Sequence, residues 1–171
     1  LENNLSIGLG SSGVTLHELV SAYSAFANHG IRVESKGIRY IENRDGKILF
    51  KENQIKTQPI SSGMARIITS LLQSVVEQGT AKKVRSLGRP TAGKTGTTNN
   101  YIDAWFLGYT PKLLTGVWVG KDNVDPLGKN ETGSRTAIPI WLDYMKSALS
   151  ETPIFNFPVT TETVFAKINP D

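Results

Sequence analysis

Three strand-sized runs, residues 91–98, 104–109 and 113–119, follow one another closely, separated only around Asn99-Asn100 and by Thr110-Pro111-Lys112. Connections this short join antiparallel neighbours, because a parallel pair needs a crossover of about a dozen residues or more. The stretch therefore dictates an antiparallel sheet. Helical patterns surround it. Thr15 with Glu18 three positions later makes a capping box, and Val14 and Leu19 are spaced for the accompanying staple. Leu16, Leu19, Val20, Tyr23, Phe26 and Ala27 then recur on one helical face until Gly30. A second helix is expected from near Ser61 to Gly79, with Met64, Ile67, Ile68, Leu71, Leu72 and Val75 read as core. A third opens near Pro139 and carries Ile138, Trp141, Leu142, Met145 and Leu149. Asn43-Arg44-Asp45-Gly46 is turn chemistry between 31–41 and 47–50, a hairpin pattern. Residues 1–13 and 122–135 read as loops, 153–158 as extended chain and 164–168 as one more strand. Helices flanking an antiparallel sheet make the expected class α+β.

Composition narrows the chemistry. At 171 residues the chain suits one domain, placed at 1–150, with an extended tail at 151–171. The absence of Cys excludes disulfides, a thiolate nucleophile and Cys-ligated metal. His17 and His29 are the only histidines, which leaves no multi-His metal site, and His17 falls off the apolar stripe as a solvated residue. No apolar run reaches membrane-spanning length. The net charge is +4, and the densest cationic group, Lys82, Lys83 and Arg85, has no interleaved aromatics. Such a run is a solvated face, so no nucleic acid is expected as a partner.

Two motifs compete for the same residues. Gly88-Arg89-Pro90-Thr91-Ala92-Gly93-Lys94-Thr95 fits the phosphate-loop pattern at every fixed position. That motif requires a buried strand before it and a helix after it. Here 81–87 is charged, Pro90 lacks an N–H, and Gly96-Thr97-Thr98-Asn99-Asn100 is a poor helix start. The other reading places Lys94-Thr95-Gly96-Thr97-Thr98 on an edge strand that docks an extended peptide. Lys94 then supplies a positive charge and a hydrogen bond, and the Thr95 and Thr97 hydroxyls, on one face by alternation, bind a carboxylate. Gly96 clears space for a ligand backbone, and the Thr97 N–H is an oxyanion donor. Taken alone, the tripeptide also fits an ordinary Thr-rich edge strand.

Its surroundings carry more. The run from Ala92 to Asn100, then Asp103-Ala104-Trp105-Phe106-Leu107-Gly108-Tyr109-Thr110-Pro111 and Gly116-Val117-Trp118-Val119-Gly120, strongly resembles the transpeptidase domain of bifunctional, class A penicillin-binding proteins. Lys-Thr-Gly is a signature of that family and of class A β-lactamases. Gly13 to Leu19 leading to Ala25 to Gly30 resembles the family's helix before its hairpin, and Trp141 to Met145 its closing helix. Most of residues 5 to 150 is covered.

The resemblance implies a D,D-transpeptidase that cross-links peptidoglycan stem peptides through an acyl-Ser intermediate and is acylated by β-lactams. It needs no cofactor or metal and works outside the cytoplasm, anchored through an N-terminal segment. Lys94 becomes the third-motif Lys, active in the proton relay and in attracting the carboxylate. Thr95 and Thr97 hold that carboxylate, the Thr97 N–H is half of the oxyanion hole, and Gly96 and Thr98 line the substrate groove. No Ser in the chain has Lys three positions on or Asn two positions on, so the Ser-x-x-Lys and Ser-x-Asn motifs are missing. The chain is thus expected to be the C-terminal half of the domain, inactive alone, with its N-terminal half as a partner. A non-catalytic module binding D-Ala-D-Ala or β-lactams remains the alternative.

Overall fold

The computed structural model describes residues 12–164 and 166. The expected loop at 1–13 lies almost wholly outside them, as does most of the expected strand at 164–168; Val164 itself is not in a strand. Helix α1 (Leu16–Ala27) begins as its capping box dictates. The Glu18 N–H donates to Thr15 Oγ1 at 3.2 Å and the Thr15 N–H to Glu18 Oε2 at 2.8 Å, which holds the Glu18 carboxyl below its usual range. It ends at Ala27, and the turn that follows runs through Gly30, whose φ of +91° suits glycine and whose missing side chain leaves room for the Ile60 carbonyl.

Strands β1 (Arg32–Val33) and β4 (Lys56–Thr57) pair around a hairpin of β2 (Tyr40–Glu42) and β3 (Ile48–Lys51). The turn is at Asn43–Gly46 as expected, but the strand pattern of 31–41 breaks over 34–39. Helix α2 (Ser62–Glu77) starts from Ser61, whose Oγ accepts from the Met64 N–H. Its core face requires a correction. Gly63, Ala65, Thr69, Leu72 and Val76 are the buried positions; of the expected stripe Leu72 is buried and Ile68 and Val75 pack partly buried against the core, whereas Met64 and Ile67 are 49% exposed and Leu71 64%. An apolar pattern wider than one stripe serves two surfaces, and only one is covered by the described residues.

A 3₁₀ segment (Lys82–Leu87) leads into the central sheet of β5 (Ala92–Thr97), β6 (Ala104–Tyr109) and β7 (Leu114–Val119), antiparallel in that order. The register sets Lys94 opposite Leu107 opposite Gly116, and Thr95 opposite Phe106 opposite Val117. Because side chains alternate, Lys94, Trp105, Leu107 and Trp118 share one face, and Thr95, Thr97 and Phe106 the other. The Phe106 face packs on α3 (Ile138–Ala148). Trp141, fully buried, meets Phe106 edge-on at 5.1 Å and donates Nε1–H to Thr115 O at 3.0 Å. The expected loop at 122–135 ends early, because Gly133–Ala137 forms a π turn continuous with α3.

The opposite face packs only at one end. There Ala92 and Tyr109 meet Leu72 and Phe26 of the two N-terminal helices. Tyr109 Oη is 2.9 Å from Thr69 Oγ1, and burial pushes its phenol up to about 12. The described residues of the tail after α3 form no helix or strand and lie across this core. Arg89 donates to Leu149 O at 2.6 Å and Pro153 O at 3.1 Å, Phe157 stacks edge-on against Tyr109, and Glu162 reaches the start of α2.

Candidate active site

At the other end of that face the sheet is open. A groove of about 800 Å³ lies between the first turns of α1, contributing Leu16, Leu19 and Tyr23, and the sheet residues Lys94, Gly96, Trp105, Leu107 and Trp118. Such a volume suits a small organic ligand, apolar in its walls with few polar groups. The missing side chain of Gly116 lets Leu16 and Val20 close on β7, which sets the groove's inner end. Trp105 and Trp118 stand with ring centroids 6.0 Å apart. Trp118 Nε1–H donates to Asp103 Oδ1 at 2.8 Å, and the Asp103 N–H donates to Thr98 Oγ1 at 2.8 Å, so the groove mouth is a fixed polar rim.

Strand β5 is an edge strand among the described residues. Its polarity follows from one bond: the Thr98 N–H donates to Asp103 O at 3.2 Å. Hydrogen-bonded and non-bonded pairs alternate along an antiparallel ladder, so the polar groups of Gly96 and Lys94 turn inward to β6. Those of Thr95 and Thr97 turn outward. The Thr97 N–H is thereby directed off the edge, and the Thr95 carbonyl accepts Lys94 Nζ at 2.7 Å. Lys94 itself is exposed at the groove.

The five residues singled out in the sequence lie together along this edge, but not all on one face. Lys94 and Gly96 look into the groove. A side chain at 96 would press on Trp105 Cβ at 3.1 Å. Thr95 and Thr97 border the edge from the far face, and each has a partner within the chain. Thr95 Oγ1 is 2.8 Å from Thr80 Oγ1, and Thr97 Oγ1 accepts the Gly133 N–H at 3.1 Å. Gly133 is glycine because its Cα sits against the carbonyls of Gly96 and Trp105. A ligand group beyond the edge can meet side chains of both faces at once. The extended Lys94 backbone also removes the phosphate-loop reading, since Gly93-Lys94-Thr95 runs inside a strand and no helix starts at Thr95.

Sequence alone gives no role to Asp103, Trp105, Trp118, Thr80 or Gly133. The alternation of β6 and β7 signals the two Trp residues once the register is known. Nothing local signals Thr80 or Gly133, which reach β5 from other elements. Ser12 lines the groove, but Thr15 rather than Lys follows it at three positions. Among the described residues no three His, Cys, Asp or Glu side chains form a metal-binding group, and no helix is long and apolar enough to cross a membrane.

Comparison with known proteins places this geometry. The family profile described as "Penicillin binding protein transpeptidase domain" matches residues 1–146. The chain is 39% identical over 165 residues to penicillin-binding protein 1A of Aquifex aeolicus, covering 96% of this chain and 23% of that protein. It is 33% identical over 221 residues to penicillin-binding protein 1A of Pseudomonas aeruginosa, covering 99% and 27%. The chain thus spans about a quarter of the length of these curated relatives. The crystal structure of penicillin-binding protein 1A from Haemophilus influenzae superimposes with a TM-score of 0.85 at 28% identity, over 92% of this chain and 30% of that one. The ceftriaxone acyl-enzyme complex of penicillin-binding protein A from Mycobacterium tuberculosis shares the fold, with a TM-score of 0.62 at 22% identity over 76% and 31%.

Proposed function

The chain belongs to the penicillin-binding protein transpeptidase family, and from that premise we propose that it supplies the carboxylate-binding strand of a serine D,D-transpeptidase acting on peptidoglycan stem peptides. The observation that carries this reading is the open edge of β5 beside the groove. There the Lys94 ammonium, the Thr95 hydroxyl and the outward Thr97 N–H converge. A D-Ala-D-Ala terminus laid along the edge presents its carboxylate to Lys94 and Thr95 and its scissile carbonyl oxygen to the Thr97 N–H. Gly96 admits the peptide backbone and Thr98 borders its exit.

In the reaction a Ser Oγ attacks the carbonyl, the C–N bond breaks, and D-Ala leaves carrying the proton. An amine of a second stem then displaces the Ser oxygen. A β-lactam carbonyl reacts in the same way, but its amine remains tethered. The nucleophile, its Lys base and the second-motif Ser come, in this proposal, from residues outside this chain, the N-terminal half of the same domain. The protein then works outside the cytoplasm and is anchored through a segment outside this chain, without cofactor or nucleic acid. In the domain reading, residues 1–150 are this half and 151–171 its tail. The test is mass spectrometry after exposure to labelled penicillin, with the chain joined to those upstream residues. One penicilloyl adduct on an upstream Ser is expected. A joined protein that binds penicillin without an adduct is instead the non-catalytic module.

A further inference from the structure

The carboxylate clamp has a neighbour that the transpeptidase reading leaves unused. Thr80 follows the C-terminal end of α2, and its Oγ1 lies 2.8 Å from Thr95 Oγ1. The segment bearing it is tied down on both sides. The Gly79 N–H donates to Val75 O at 3.1 Å, and the Ala81 N–H donates to Val75 O at 3.2 Å. Ala81 and Val84, just beyond, are fully buried. Thr95 lines the groove while Thr80 stands behind it, outside the lining.

A hydroxyl has one proton to donate and two acceptor positions. With the edge empty, either threonine can be the donor of this pair. Once Thr95 gives its proton to a carboxylate, the pair persists only with Thr80 as donor. We propose that Thr80 is the positioning residue of the clamp: its hydroxyl donates to Thr95 Oγ1 and turns the Thr95 O–H toward the carboxylate of the acyl donor or β-lactam. This rests on the transpeptidase reading above. Donation into Thr95 also polarises its O–H, which strengthens the bond to the anion.

The experiment uses the joined transpeptidase and measures the second-order acylation rate with benzylpenicillin and with its methyl ester. Thr80→Val is expected to slow benzylpenicillin about fivefold, the scale of one net hydrogen bond. Thr80→Ser keeps the hydroxyl and should stay within about twofold of wild type. The ester offers no carboxylate, and with it Thr80→Val should equal wild type. In a Thr95→Val background, adding Thr80→Val should change nothing further, because the effect runs through Thr95. If Thr80→Val melts early, Thr80→Ala takes its place. Equal rates for the Val and wild-type proteins on benzylpenicillin overturn the inference, as does a Ser variant as slow as the Val variant. An equal loss with the ester, or additive losses in the double variant, overturns it too. A wild-type protein that forms no adduct overturns the underlying reading as well, which separates the two failures.

Discussion

In the proposed transpeptidase Lys94 works as a charge at an edge, and its worth depends on groups either side of it in the strand. On that reading, removing the ammonium by Lys94→Ala takes away the carboxylate's counter-charge and a relay hydrogen bond. Loss of such a placed catalytic group costs about 10²–10³ in rate. Penicillin acylation of the joined protein should fall by that factor, and a value within about threefold of wild type would remove the assigned role. Thr95→Val, nearly constant in shape, should cost less, since only one of the clamp's donors goes. Much of this was legible at the residue level. The period of two put Thr95 and Thr97 on one face directly from the sequence. What stayed hidden is which backbone groups of β5 face outward. That depends on whether Thr98–Asp103 is a bonded pair, a property of the turn geometry rather than of any residue type.

Among the elements, α3 and its π turn fix the far face of the sheet, and Trp141 is the central piece. Trp141→Ala empties a fully buried site against Phe106 and frees the carbonyls of Gly108 and Thr115. Chemical denaturation should show a loss of about 3–5 kcal/mol. That helix, α1 and the three strands are legible in the sequence because each helix carries an apolar stripe and short polar turns separate the strands. Helix α2 was not, because its apolar residues cover two faces and sequence alone does not say which is packed. The contact of the tail with α2 was also invisible, since nearly a hundred residues separate its partners. Glu162 accepts from Ser62 Oγ at 2.6 Å and from the Gly63 N–H at 2.7 Å, and these bonds lower its carboxyl below the ordinary value of 4.5. A lowered folded value stabilises the ionised form, so the contribution is complete above pH 4.5 and fades as pH falls through the folded value. Melting curves of wild type and Glu162→Gln should therefore differ at neutral pH and converge in acid. A gap that persists unchanged at low pH would argue that the carboxylate charge has no part in this contact.

At the scale of the molecule, the described residues leave three surfaces uncovered: the groove above Trp105 and Trp118, the outer edge of β7, and the Met64–Ile67–Leu71 stripe of α2. Natural folds seldom leave an apolar patch and a free strand edge both open to water. In the proposed transpeptidase they are the seats of the upstream half, which brings the nucleophile over Lys94. On that proposal the chain by itself supplies a carboxylate clamp without an attacking group, and a clamp orients but forms no bond. Incubated alone with labelled penicillin, it should gain no covalent mass. Mixed with the upstream half as a separate polypeptide, it should assemble, and the adduct should appear on that half. Size-exclusion chromatography of the isolated chain should show self-association that the upstream half suppresses, since both compete for the same apolar surfaces. Leu71→Lys should weaken that assembly while leaving secondary structure intact, because Leu71 is 64% exposed. A stoichiometric adduct on the isolated chain would defeat the split-domain account and direct attention to Ser12, the serine lining the groove.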